Sequence, residues 1–164
     1  MCRRIAQLAK IEKSVEIAVP VPQVWAYITE PQNFLLWSGT LDRLELIHET
    51  ANGVGTRARA TIGQMTIVME VVEMIENHKI VSHAIEGDFQ TFTQAFQLET
   101  HNRHTVLTYL LDYQVPTIVG GSILDWLLVR RTLSEEMEKG LQRVKQQLEY
   151  SWSLLSKAQQ RQKA

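Results

Sequence analysis

Tyr109 and Tyr113 stand four residues apart in the run HTVLTYLLDYQV (104–115). If that run is a strand, its period of two puts both rings on one face with Leu107 and Leu111. Phenol hydroxyls on an apolar face can hold a carbonyl by hydrogen bonding or donate a proton to it. The preceding run, FQTFTQAFQLE (89–99), sets Gln90, Phe92, Gln94, Phe96 and Leu98 on one face. The apolar line Phe96–Leu98 marks that face as the inward one. Gln94 would then either orient a ligand's carbonyl or hydroxyl or serve as a satisfied structural amide. His83 lies mid-strand in KIVSHAIEG (79–87). An imidazole is the default acid–base group near neutral pH, although a single strand histidine also fits a structural or exposed role. Tyr109, Tyr113 and His83 are therefore the catalytic candidates.

Other chemistries lack their residues. His101 and His104 form an H-x-x-H pair with no third ligand close in sequence, so a solvated hairpin tip is expected and no metal. The one cysteine, Cys2, leaves no intramolecular disulfide and no cysteine zinc cluster. Ser38 and Ser122 sit in no G-x-S-x-G elbow, and GVGTRARATIG (53–63) contains no G-x-G-x-x-G opening a helix. No cofactor is expected. The formal net charge of -1 excludes a chain-wide basic footprint, so nucleic acid is not an expected partner. MCRRIAQLAKIEK lacks the apolar run of a secretory signal, and no stretch reaches the roughly 20 apolar residues of a membrane span. The expected location is cytoplasmic.

The elements that must position these side chains follow from periodicity. KSVEIAV (13–19) alternates, with Val15, Ile17 and Val19 on one face. Pro20 and Pro22 stop that strand, and Pro22 suits the first turn of a helix carrying Val24, Trp25 and Ile28. Pro31 ends it and opens a second short helix carrying Phe34, Leu35 and Trp37. Strand signals follow at 41–49, 56–62, 65–76, 79–87, 89–99 and 104–115, separated by short turns, which predicts an antiparallel meander. The 65–76 segment is apolar on both faces, so its register is not readable. After PTIVGG, Ser122 and Asp125 approximate a capping box, and apolar residues at spacings of three and four from Ile123 to Leu148 predict one long amphipathic helix. The expected division is an extension at 1–10, one domain at 11–150 and a polar tail or frayed helix end at 151–164.

That order implies an α+β fold in which a twisted sheet curls around the long helix, with a ligand gap between them. Three segments, IEKSVEIAVPVPQVWAYITEPQNFLLW (11–37), NGVGTRAR (52–59) and HTVLTYLLDYQVP leading into the last helix, resemble the START-related helix-grip (SRPBCC) superfamily. Within it, the texture is most similar to polyketide cyclase/dehydrase-like and lipid-transfer proteins. The resemblance implies a curved antiparallel sheet of six to seven strands and a hydrophobic cavity. It implies no reaction, because one fold hosts many functions.

The leading expectation is binding or transport of a small hydrophobic molecule: a lipid, a quinone or a polyketide-like aromatic. Its candidate lining is Phe34, Trp37, Met69, His83, Phe92, Gln94, Phe96, Leu107, Tyr109, Tyr113, Leu124 and Leu127. The alternatives are a cyclase/dehydratase-type enzyme using Tyr109, Tyr113 or His83, and a protein-interaction module of the chaperone-activator type. TIVGGSILDWLLV (117–129) is apolar around most of a helix's circumference and is followed by Arg130 and Arg131. Transient membrane contact, a homodimer contact and closure of the cavity mouth are the roles open to it.

Overall fold

The computed structural model describes residues 8–87, 91–114 and 123–163. Its elements run β1 (Leu8–Ile17), α1 (Val21–Thr29), α2 (Pro31–Trp37), β2 (Arg43–His48), β3 (Arg57–Ile62), β4 (Met65–Ile75), β5 (Lys79–Gly87), β6 (Phe92–His101), β7 (His104–Gln114) and α3 (Ile123–Gln162). The seven strands form one antiparallel sheet in the order β1-β7-β6-β5-β4-β3-β2. This is the helix-grip architecture.

Alternation accounts for the β1 side of the sheet. Along β1, Ala9, Ile11, Val15 and Ile17 are buried while Lys10, Glu12, Ser14 and Glu16 face water. Along β7, Thr105, Leu107, Tyr109, Leu111 and Tyr113 are all buried. The core joins these faces to Met137, Leu141, Val144 and Leu148 of α3. Two cross-links fasten α3 to the end of β1, where the ladder has run out. The Ala18 amide donates to Glu149 Oε1 at 2.8 Å, and Lys145 Nζ donates to the Glu16 carbonyl at 2.7 Å. Inside, the Thr105 hydroxyl donates to the Val19 carbonyl at 2.7 Å, satisfying a group that burial would otherwise penalise.

Prolines set the two short helices. Pro22 and Pro31 each occupy the first turn, where a missing N–H costs nothing. Val24 and Ile28 bury the inner face of α1, and Trp37 buries the end of α2.

Two elements run past the bounds read from the sequence, and a third shows the register that the sequence left unread. β1 begins at Leu8, inside the segment expected as an extension, and pairs there with Gln114. α3 continues to Gln162 through the expected polar tail, with Trp152 packed on the core. Its residues beyond 150 are rich in Leu, Lys, Gln, Arg and Ala, all good helix formers. β4 is the third, with two register shifts against β5, between Val68 and Met69 and between Val71 and Glu73. The second leaves Val72 unpaired and exposed, so Val71 and Met74, three apart, both face inward. The capping box expected at Ser122 and Asp125 lies outside the described residues and side chains.

Candidate functional site

The long helix covers only part of the concave face. α3 packs on β1 and α2, and the β2–β5 side of the sheet is left facing a chamber of about 240 Å³. Its wall is built strand by strand from inward residues: Leu44 on β2, Ala58 and Ala60 on β3, Ile67, Met69 and Val71 on β4, Ile80 and Ser82 on β5. Phe34 and Pro31 of α2 close one side. At the rim, the Gly53 backbone takes a φ of +81°, open to glycine, and the space a Cβ would need is filled by the Met74 thioether.

An aromatic cluster forms the boundary between chamber and core. Phe34 and Trp37 meet edge to face at 4.6 Å, Trp37 meets Phe96 at 5.7 Å and Tyr109 at 6.1 Å, and Phe96 stacks on Tyr109 at 4.5 Å. These are favourable ring geometries. Phe96 and Tyr109 are directly opposed across β6 and β7, which explains their stacking.

Three polar groups on this wall fall in one row across β5, β6 and β7; the hydroxyls of Thr29, Ser38, Thr40, Thr50 and Thr56 stand elsewhere on it and are engaged with one another or with backbone. Ser82 on β5 opposes Gln94 on β6, and the Tyr109 hydroxyl on β7 donates to Gln94 Oε1 at 3.4 Å. Burial pushes the Tyr109 phenol far up from its ordinary pKa, so it stays protonated and acts as a donor.

A second chamber, about 500 Å³, adjoins the first and shares Ser38, Thr40, Ile62, Phe92 and Tyr109 with it. It lies between β7 and the first turns of α3, against Leu111, Tyr113, Leu128, Val129, Leu133 and Met137. The Tyr113 hydroxyl is buried with no hydrogen-bond partner among the described residues. Desolvation raises its pKa, and Arg130 opposes part of that rise. The two chambers together fall within the range of small-molecule sites, roughly 300–1,000 Å³.

The family model described as polyketide cyclase/dehydrase and lipid transport matches residues 9–149. The chain belongs to that family. Its helix-grip fold is shared with solved structures that include a START superfamily protein and an aromatase/cyclase. A structure from Thermus thermophilus is 17% identical with a TM-score of 0.73, covering 87% of this chain and 99% of that one. A START superfamily protein from Mycobacterium smegmatis is 22% identical with a TM-score of 0.69, covering 85% and 98%. An aromatase/cyclase from Streptomyces sp. R1128 is 14% identical with a TM-score of 0.74, covering 87% and 94%. At these identities the likeness is one of fold. No curated protein matches the sequence.

Within this family fold, Phe34, Met69, Phe92, Gln94, Phe96 and Tyr109 stand on the first chamber's wall, and Trp37 and Tyr113 on the second's. His83 does not line either chamber. It is exposed on the outer face of β5, one residue out of phase with Ser82, which takes the inward position. Leu107 is fully buried in the core shared with α3, away from both chambers. Leu127 is half exposed, because consecutive residues on a helix diverge by about 100° and it is Leu128 and Val129 that reach the second chamber. The Leu124 side chain lies outside those described, as do residues 117–122 of the apolar segment.

Reading the sequence missed Ser82, Ala60 and Ile67. Ile80, Ser82 and Ala84 share a strand face that carries no charge before Glu86 at the strand's end, whereas the opposite face carries Lys79 and His83; that contrast is the available signal. His101 and His104 have a neighbour the sequence hid: Glu16 Oε1 lies 3.5 Å and 3.0 Å from their Nδ1 atoms. Among the described residues no cluster of three or more such groups is arranged to hold a metal. Among them, too, no helix is long and apolar enough to cross a membrane.

Proposed function

We propose that this protein binds, and carries, a small hydrophobic molecule in the joined chambers between the sheet and α3. The observation behind this reading is a largely apolar hollow enclosed between the sheet, α2 and α3. The driving force is removal of the ligand's apolar surface from water, worth about 25 cal/mol per Å². The family takes in both polyketide cyclases/dehydrases and lipid-transport proteins. Carriage is favoured over catalysis because His83 is turned to solvent and burial holds the Tyr109 phenol protonated, so the acid–base candidates read from the sequence do not assemble on the chamber wall among the described residues.

Native mass spectrometry of the purified protein, followed by organic extraction, tests the reading. The expected result is a co-purifying hydrophobic species that is absent from Ala60→Phe, whose ring would occupy the chamber beside Leu44 and Ile67. An empty wild-type protein that is not thermally stabilised by lipids, quinones or aromatic polyketides would overturn it.

A further inference from the structure

The chamber's polar row has a direction. The Tyr109 hydroxyl engages the oxygen of the Gln94 amide, which leaves the amide's NH₂ as the group free to meet a ligand. At 3.4 Å this contact is looser than the usual 2.5–3.0 Å for an O–H···O bond, so it orients the amide more than it stabilises the fold. Directly across the strand pair, the Ser82 hydroxyl faces the same chamber and makes no side-chain hydrogen bond among the described residues. Two donors on adjacent strands thus converge on one spot of an apolar wall.

Charge narrows the ligand further. Among the described residues, neither chamber wall contains a lysine, an arginine or a histidine. The carboxylates there are Glu49, exposed at the rim, and Glu136, ion-paired to Lys139 at 2.9 Å. An anion held beside Ser82 and Gln94 in the first chamber would find no cationic side chain among the described residues of its wall, and an unpaired buried charge is strongly disfavoured.

We infer that Ser82 and Gln94 form a carbonyl-reading site that selects neutral apolar molecules bearing an acceptor oxygen, as in a ketone, quinone or ester, with Tyr109 as the residue positioning the Gln94 amide. This inference rests on the cavity-binding reading and names the ligand class for it. Pure hydrocarbons enter without using the two donors, and ionised carboxylates or phosphates are rejected from the chamber.

Calorimetric titration with three probes of matched size tests this: 2-acetylnaphthalene, 2-ethylnaphthalene and 2-naphthoate. The wild-type protein should bind the ketone about five- to tenfold more tightly than the hydrocarbon, the range one net hydrogen bond supplies. It should bind the carboxylate at least about tenfold more weakly than the ketone. Gln94→Met should bring ketone and hydrocarbon affinities to parity, whatever common shift the altered wall brings to both. Tyr109→Phe should shrink the same ratio, a change that loss of packing, which weakens both probes alike, would not produce. Equal binding of ketone and hydrocarbon by the wild type, or a preference that survives Gln94→Met, overturns the carbonyl-reading site while the cavity reading stands. If none of the probes binds, both fall.

Discussion

Trp37 is seated on a helix that has been hollowed to receive it: a Cβ on Gly140 would come within 3.1 Å of Trp37 Cε3 and 3.2 Å of its carbonyl oxygen. Three residues on, Arg143 Nη1 donates to that same carbonyl at 2.9 Å. A glycine inside a helix costs roughly 1 kcal/mol relative to alanine, so its presence here trades helix propensity for the close approach of α2. That approach holds Phe34 and Trp37 at the chamber boundary.

Gly140→Leu should therefore force α2 off α3 and lower stability by about 1–3 kcal/mol, the usual cost of overpacking. Gly140→Ala should be close to neutral, because the gain in helix propensity offsets a tight contact. Urea unfolding followed by tryptophan emission distinguishes the two. A well-tolerated leucine would show that the Trp37–Gly140 contact is not what positions α2.

Tyr113→Phe should raise stability by about 1 kcal/mol. The hydroxyl is buried without a hydrogen-bond partner among the described residues, and removing an unsatisfied polar group relieves its desolvation cost. Phe96→Ala should act in the opposite sense, costing about 3–5 kcal/mol, because it empties a buried site and unstacks Tyr109. Thermal melts of the two variants beside wild type check the signs.

Glu16 supplies a pH-dependent contribution. Its hydrogen bond with His104 holds its carboxyl below the ordinary carboxylate range; desolvation opposes this, and smaller electrostatic contributions from His101 and His104 add to the lowering. A lowered folded-state pKa means the stabilisation is fully present above the unfolded carboxylate's pKa and is lost as pH falls through the folded one. The stability difference between wild type and Glu16→Gln should thus shrink as pH falls from about 6 to about 3. The group is exposed, so roughly 1 M salt should shrink the difference as well. A gap that stays constant with pH would remove Glu16 from the acid limb.

What can be read from the sequence is the part governed by strict alternation. Val15, Ile17, Phe96, Leu98, Tyr109 and Tyr113 all face where a period of two places them, and the prolines at 20, 22 and 31 mark the two short helices. The reading fails where two faces are equally apolar. In β5, Ile80 and Ala84 compete with Val81 and Ile85, so the pattern alone admits His83 as inward and passes over Ser82. Alternation puts Leu107 on the correct face, yet a face does not say which part of it α3 covers. Coverage is a tertiary fact, and it decides which inward residues meet core and which meet cavity.

The bulge in β4 gives the sharpest test of that distinction. Val71 pairs with Ser82, Glu73 with Val81 and Met74 with Ile80, leaving Val72 as the extra residue. Deleting Val72 would turn this stretch into a regular ladder without changing any of those pairs. Met74 would still face the chamber, and Glu73 would still face out. The deletion should fold, within about 2 kcal/mol of wild type, since an exposed residue with no ladder partner is removed. Deleting Glu70, which is paired with Arg57 and His83, should behave differently. It would shift the register by one and exchange the inward and outward sets on one side of the cut. Circular dichroism melts of both deletions check this. If only the Glu70 deletion fails, the ladder pairs on either side of Val72 hold the register and the extra residue is dispensable to it; if the two are equally destabilising, the bulge itself is needed to keep Met74 in the wall.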